Sequence, residues 1–156
     1  MVVAPELFDP AHAWAALENA EKILLGPLGI ATLDPKDWAY NGFYNNQVDS
    51  GVFKTAKGFN YHQGPEWLWV AGYFMRAKLM LAQHYSEGQY LNQTITRIHK
   101  FLANHMKMLN ESPWRSLPEL TNQNGTECHD SCPAQAWSLA CFLDLLFDIS
   151  QIKVKK

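Results

Sequence analysis

Apolar positions along the chain gather into four stretches with helical spacing, separated by segments rich in Asn, Asp, Gly and Pro. The first follows Asp9 as an N-cap with Pro10 in the first turn, carries Trp14, Leu17, Leu24 and alanines 13, 16 and 20 on one side, and stops at Gly26-Pro27. It predicts an amphipathic surface helix. The second begins at Gly64-Pro65, runs to about Tyr85 and is apolar on every side (Trp67, Leu68, Val70, Phe74, Met75, Leu79, Leu81), the mark of a buried helix. The third, from about Gln89 to Leu109, repeats Leu91, Ile95, Ile98, Leu102, His105 and Leu109 on one face and leaves Arg97, Lys100 and Asn104 to solvent. The fourth starts after Ser131 or Cys132, with Pro133 in its first turn, and continues through Trp137, Leu139, Ala140, Phe142, Leu143, Leu146 and Phe147 to about Asp148, again predicted to be largely buried. No pair of alternating runs is joined by a hairpin turn, so the predicted class is all-α.

Two connections are long: Gly26 to Gly64 and Asn110 to Asp130, both studded with aromatic and hydrogen-bonding residues. Long connections in a compact domain are usually functional. The remaining one, Ser86-Glu87-Gly88, reads as a tight turn, which makes the second and third helices antiparallel and brings both long loops to one end of the helical layer.

Composition narrows the chemistry. The 156 residues are 47% hydrophobic and 18% charged, a globular balance that excludes disorder as the main state. A net charge of −2 offers nothing to phosphate backbones or anionic lipid, so neither nucleic acid nor a membrane is expected as a partner. The apolar run from Trp67 to Ala82 is broken by Arg76 and Lys78 and is too short to span a bilayer. The start at Met1 to Pro5 has no signal-like region, and three cysteines (Cys128, Cys132, Cys141) make a poor disulfide framework, so a cytoplasmic protein is expected. Aromatic residues are over-represented at 13%, many beside Asn, Gln, Asp and Glu, which suits a site that stacks and hydrogen-bonds.

The first long loop ends Lys57-Gly58-Phe59-Asn60-Tyr61-His62-Gln63-Gly64-Pro65-Glu66-Trp67-Leu68-Trp69, which sets amide, imidazole and carboxyl groups among indoles. Neutral hydrogen-bonding groups beside aromatic faces match a sugar, with hydroxyls in its plane and apolar ring faces above and below. Glu66 suits either a helix-capping acid or a hydrogen bond to substrate better than a catalytic role. The second loop holds Trp114 and, between Pro118 and Leu120, Glu119, where apolar neighbours could fix a carboxylate as a general base; a solvated loop glutamate is the ordinary alternative. Cys128-His129-Asp130-Ser131-Cys132 matches no tetrahedral zinc spacing, so no metal is expected, and a Cys128–His62 nucleophile pair has nothing to fix its distance.

Leu24-Leu25-Gly26-Pro27-Leu28-Gly29, Thr32-Leu33-Asp34-Pro35, Lys57 to Trp69, Leu117-Pro118-Glu119-Leu120-Thr121-Asn122 and Cys132-Pro133-Ala134-Gln135-Ala136-Trp137-Ser138 together resemble the C-terminal, amylo-α-1,6-glucosidase end of eukaryotic glycogen debranching enzymes. The resemblance is colinear from about Val3 to Ile149. It implies an α/α toroid with its active site at the loop-bearing end. It also implies an inverting glucosidase that removes single α-1,6-linked glucose stubs from glycogen limit dextrin, beside a 4-α-glucanotransferase carried by a region absent here. An inverting pair of carboxyl groups stands roughly 6.5 to 9.5 Å apart. Glu119 falls on the family's general base. Asn60, Tyr61, His62, Gln63, Glu66, Trp67 and Trp69 fall on what looks like its sugar-binding wall, and Trp114 is grouped with them.

The family's general acid lies upstream of the matched region. Four long helices cannot close a ring of about twelve, so some apolar faces should be exposed. The expected organisation is residues 1–150 as the C-terminal portion of the glucosidase domain and 151–156 as a basic tail. Expected partners are a branched α-glucan and the remainder of a debranching enzyme, with no cofactor. The alternative, from another functional class, is a catalytically incomplete glycan-binding or assembly fragment that keeps the aromatic wall without the acid.

Overall fold

Asp9 and Pro10 start the first helix as their chemistry dictates. In a computed structural model, which describes residues 1–52, 60–84, 88–129 and 131–152, α1 spans Pro10–Leu24, and the Asp9 carboxylate accepts the His12 N–H at 2.9 Å. Three further long helices follow among the described residues: α2 (Leu68–His84), α3 (Gly88–Glu111) and α4 (Ala136–Ser150). Short 3-10 turns cover Pro5–Leu7 and Gln123–Gly125.

The molecule is mostly helical, but it also holds a small sheet that the pattern of the chain does not announce. Strands β1 (Ile30–Ala31), β2 (Glu66–Trp67) and β3 (Leu120–Thr121) pair antiparallel in the order β1-β2-β3. Ile30 faces Trp67 and Ala31 faces Glu66; on the other edge Glu66 faces Thr121 and Trp67 faces Leu120. Each strand has two residues and reaches a partner far along the chain, so neither alternation nor a hairpin turn could betray it. The sheet also moves the start of α2 from the expected Gly64-Pro65 to Leu68, because Glu66 and Trp67 are extended. The expected tight turn falls at residues 85–87, outside the described residues, as do Lys57 to Phe59 of the first loop, Asp130 and residues 153–156 of the basic tail. The convergence of the loops is visible directly: β2 closes the first and β3 belongs to the second.

Helix α2 is the central element, packed against α1, α3 and α4. Leu68, Ala71, Met75 and Leu79 from α2 meet Ile98, Phe101 and Leu102 from α3, Phe142 and Leu145 from α4, and Leu28, Ile30 and Leu117 from the loops. The polar interruptions of its apolar run are answered across helix boundaries. Lys78, almost wholly buried, pairs with Glu18 at 2.6 Å and with Glu21 of α1, and it draws the Glu18 carboxyl below its ordinary range. Arg76 reaches Asp144 at 3.0 Å and Asp148 at 2.7 Å on α4.

Contacts between Trp69 and Trp137, Gly72 and Cys141, and Arg76 and Asp144 advance in the same direction on α2 and α4, so these helices run parallel. Helix α3 ends where they begin: His105, buried near its C-terminal end, sets Nε2 2.7 Å from the Leu28 carbonyl. Burial pushes the His105 imidazole down towards its neutral form, and its contact with the Leu28 carbonyl ties the loop after α1 to α3.

Contrary to expectation, α4 is buried on one side only. Ser138, Cys141, Phe142 and Leu145 face inward, whereas Leu143 and Phe147 remain 58% and 64% exposed. An all-round apolar helix needs neighbours on every side to be buried, and α4 packs against α2 along a single seam.

Gly72 marks the closest approach on that seam, where an added Cβ would stand 2.6 Å from the Cys141 Cβ. Gly72→Ala should therefore force α2 and α4 apart and destabilise the chain by about 1–3 kcal/mol. The check is the urea unfolding midpoint, and an unchanged midpoint would contradict the packing described.

Candidate active site

Extended backbone sends successive side chains to opposite faces, and β2 uses this to divide the loop-bearing end into two environments. Trp67 goes to an aromatic side and Glu66 to a polar, closed one.

On the aromatic side, Tyr61 lies edge-on to Trp67 with ring centroids 4.8 Å apart and packs against Tyr44 at 5.0 Å. His62 stacks on Trp67 at 5.2 Å. The wall continues through Trp69, edge-on to Trp67 at 6.2 Å, to Trp137, whose ring stacks on Trp69 at 4.2 Å with planes 13° apart. Trp137 is half exposed. The Trp67 indole N–H donates to the Tyr61 carbonyl at 3.2 Å, which keeps the turn at residues 60–63 against the strand.

Glu119 stands beside this wall. Its N–H donates to the Cys132 carbonyl at 2.9 Å and its carbonyl accepts from the Leu68 N–H at 3.2 Å, so its backbone is held between the approach to α4 and the first residue of α2. Its half-buried side chain accepts from the Gln135 amide at 3.1 Å and from the Tyr61 hydroxyl. Burial first, and then the Glu119 carboxylate, pushes the Tyr61 phenol well up, so it stays a proton donor. Gln135 is in turn oriented by Ser138, whose hydroxyl donates to the Gln135 side-chain oxygen at 2.9 Å. Two donors and two backbone anchors thus fix one carboxylate at the edge of an aromatic wall.

On the closed side, Glu66 is only 4% exposed. Its carboxylate accepts the Asn124 N–H at 2.8 Å, the Gly125 N–H and the Thr121 hydroxyl at 3.4 Å. A Cβ on Gly26 would fall 2.1 Å from its carboxyl carbon, so only a glycine leaves room for this group. Desolvation outweighs the three donors and raises the carboxyl to about 7. Burial, and then the Glu66 charge, raises the Tyr40 hydroxyl as well.

The remaining sequence candidates are not all brought to this site. Asn60 is buried, with its amide nitrogen donating to the Phe43 carbonyl and its oxygen without a partner among the described residues. The side-chain oxygen of Gln63 and the indole nitrogen of Trp69 are buried without partners in the same sense. Trp114 is exposed and lines a groove of about 500 Å³ with Lys107, Glu111 and Pro113, a lining that includes neither Glu119 nor Tyr61.

Among the described residues no cluster of three metal-ligating side chains occurs, and no helix is long and apolar enough to cross a membrane. The three cysteines form no disulfide. Sequence reasoning passed over two residues of this constellation, Gln135 and Trp137. The helical spacing of Trp137 predicts helix core. The available signal was the placement of both where Pro133 ends a loop and α4 begins.

Two comparisons bear on this geometry. A family model described as Amylo-alpha-1,6-glucosidase matches residues 1–144. A glycogen debranching enzyme from Saccharomyces cerevisiae is 47% identical over 159 aligned residues, which cover 96% of this chain and 10% of the yeast protein. The chain therefore spans about a tenth of the length of that curated relative.

The raised Glu66 carboxyl gives a pH prediction. Between 4.5, its ordinary value, and about 7, the folded chain holds this proton more tightly than the unfolded chain. Its contribution to stability is thus fully present below that window and lost as pH rises through it. Relative to Glu66→Gln, the parent should lose stability from pH 4.5 to 7 and change little above; a stability difference that does not vary between pH 5 and 7.5 would refute it. Residues common to both chains, His105 included, cancel in the difference.

Proposed function

The chain belongs to the amylo-alpha-1,6-glucosidase family, and from that premise we propose that it forms the base-bearing part of a glycogen-debranching glucosidase. The substrate is a branched α-glucan, and the reaction is hydrolysis of a single α-1,6-linked glucose stub with inversion. The observation that carries the reading is Glu119, a half-buried carboxylate fixed by Tyr61, Gln135 and two backbone bonds at the edge of an aromatic wall.

In this mechanism Glu119 takes a proton from a water held on one face of the sugar while a carboxylic acid elsewhere on the complete enzyme protonates the departing glycosidic oxygen. The two carboxyl groups stand roughly 6.5 to 9.5 Å apart, with room for the water between them. The Tyr61 hydroxyl and the Gln135 amide keep the carboxylate aimed. Tyr61, His62, Trp69 and Trp137 offer faces and edges to the pyranose ring, with the buried Trp67 packed beneath them. Trp114, on its own groove, is assigned to a more distant part of the glucan.

Parallel α2 and α4, with α3 returning between them, are the arrangement of successive hairpins in an α/α toroid, which supports placing the chain in such a ring. The rest of the debranching polypeptide, including its glucanotransferase, completes the protein in a cytoplasmic setting. A second reading, a glycan-binding or assembly fragment without its own hydrolysis, is favoured by one observation: the open apolar side of α4 formed by Leu143, Leu146 and Phe147.

The decisive experiment places this chain in the yeast debranching enzyme in place of the matching stretch. Glu119→Gln should lower kcat for glucose release from a limit dextrin by about 10²- to 10⁴-fold with little change in KM. Transferase activity should persist as a control for folding. A kcat within a few-fold of the parent would remove Glu119 as the base. The 156-residue chain alone should release no glucose from the same substrate; release abolished by Glu119→Gln would show that it carries its own acid.

A further inference from the structure

Glu66 is the most deeply buried acid on the loop-bearing end, and the mechanism above makes no use of it. Its surroundings describe a clamp. The carboxylate reaches forward from β2 to bind both N–H groups of Asn124 and Gly125 and the hydroxyl of Thr121, all on the segment that follows Glu119. Behind it is the Cα of Gly26, where no side chain fits. The same two strands are joined by backbone pairing of Glu66 with Thr121, and Leu68, two residues on, donates its N–H to the Glu119 carbonyl. One buried side chain therefore binds the loop after α1, the strand before α2 and the segment that carries Glu119.

We propose that Glu66 is a positioning residue for Glu119: its buried carboxylate, seated on Gly26, clamps residues 121–125 to β2 and so fixes where the Glu119 carboxylate stands relative to the sugar. The role rests on the glucosidase reading for its consequence and on this geometry alone for its existence. A carboxylate committed to three donors and closed off by Gly26 acts from behind the strand, in contrast to a group that holds a substrate hydroxyl. Small displacements of a reacting group are costly, since about 1 Å of misplacement can reduce turnover by ~10²-fold.

The test has two arms with two mild variants. Glu66→Gln keeps the size but replaces one accepting oxygen by an NH2 that can only donate, towards partners that are themselves donors, and Thr121→Val keeps the shape and removes one donor. In the 156-residue chain, hydrogen exchange of the Glu119, Asn124 and Gly125 amides should quicken by about tenfold or more in Glu66→Gln and less in Thr121→Val, while amides in the middle of α2 stay protected. In the yeast chimera, Glu66→Gln should lower kcat by roughly 10- to 100-fold with KM within about twofold of the parent. The double variant should be no worse than Glu66→Gln, because both changes break one clamp.

A raised KM at constant kcat would make Glu66 a substrate contact and overturn the proposal. So would unchanged exchange at all three amides, or a double variant whose losses add. If the unmutated chimera releases no glucose, the glucosidase reading fails, and the exchange arm then decides the clamp by itself.

Discussion

The backbone pairing of Glu66 and Trp67 is the joint on which the loop-bearing end depends. These two residues bond to Ile30–Ala31 on one edge and to Leu120–Thr121 on the other, so they hold together three segments that are distant in the sequence. Without that joint, the long connection before α2 and the one before α4 would be separate surface loops, each facing the conformational entropy of ordering alone. With it, the side chains divide: an indole on one face collects Tyr61, His62 and Trp69, and a carboxylate on the other collects Thr121, Asn124 and Gly125. A buried carboxylate is tolerated only when donors surround it, and those donors come from the very loop it holds.

The order of rigidity follows. Helix α2 anchors β2, β2 anchors β3, and Glu119 precedes β3 by one residue. Its position is therefore inherited from the best-packed element of the chain, in which Leu68, Ala71, Leu79 and Ala82 are almost entirely buried. Tyr61 and Gln135 then fix the side chain from two different directions, one from the turn before β2 and one from the start of α4. The general base proposed at Glu119 needs this arrangement, because its efficiency depends on holding a water at hydrogen-bond distance in one orientation.

Local chemistry made much of the fold legible. The Asp9-Pro10 start of α1 is a capping signal that acts within four residues, and the stripe of Ile98, Leu102 and His105 on α3 is periodic whatever surrounds it. The three short strands were not legible, because two-residue pairings are decided by which distant segments meet. Arg76 and Lys78 looked like flaws in an apolar helix and proved to be its ionic ties to α4 and α1. Trp137 shows the limit most clearly: at helical spacing with Ala140 and Phe147 it reads as core, yet it stands half exposed against Trp69 because α4 is covered on one side only. Glu119 and the Asn60-to-Trp69 run were readable as candidates through motif resemblance, whereas the opposite settings of Glu66 and Glu119 required the register of β2.

What remains unsatisfied in the fold is as informative as what is paired. Three buried polar atoms, the oxygens of Asn60 and Gln63 and the indole nitrogen of Trp69, find no partner among the described residues, and all lie on the segment that runs into the aromatic wall. An unpaired buried donor or acceptor costs about 1–3 kcal/mol, and a domain rarely tolerates several so close together. The same segment carries the Tyr61 and Trp67 rings, which favour a flat, partly apolar ligand but do nothing for stray amide groups. A ring that is apolar on its faces and hydroxylated around its rim matches that mixture of aromatic and amide groups. On the function proposed above, that combination suits a sugar better than a purely apolar guest, which would offer the amide groups nothing.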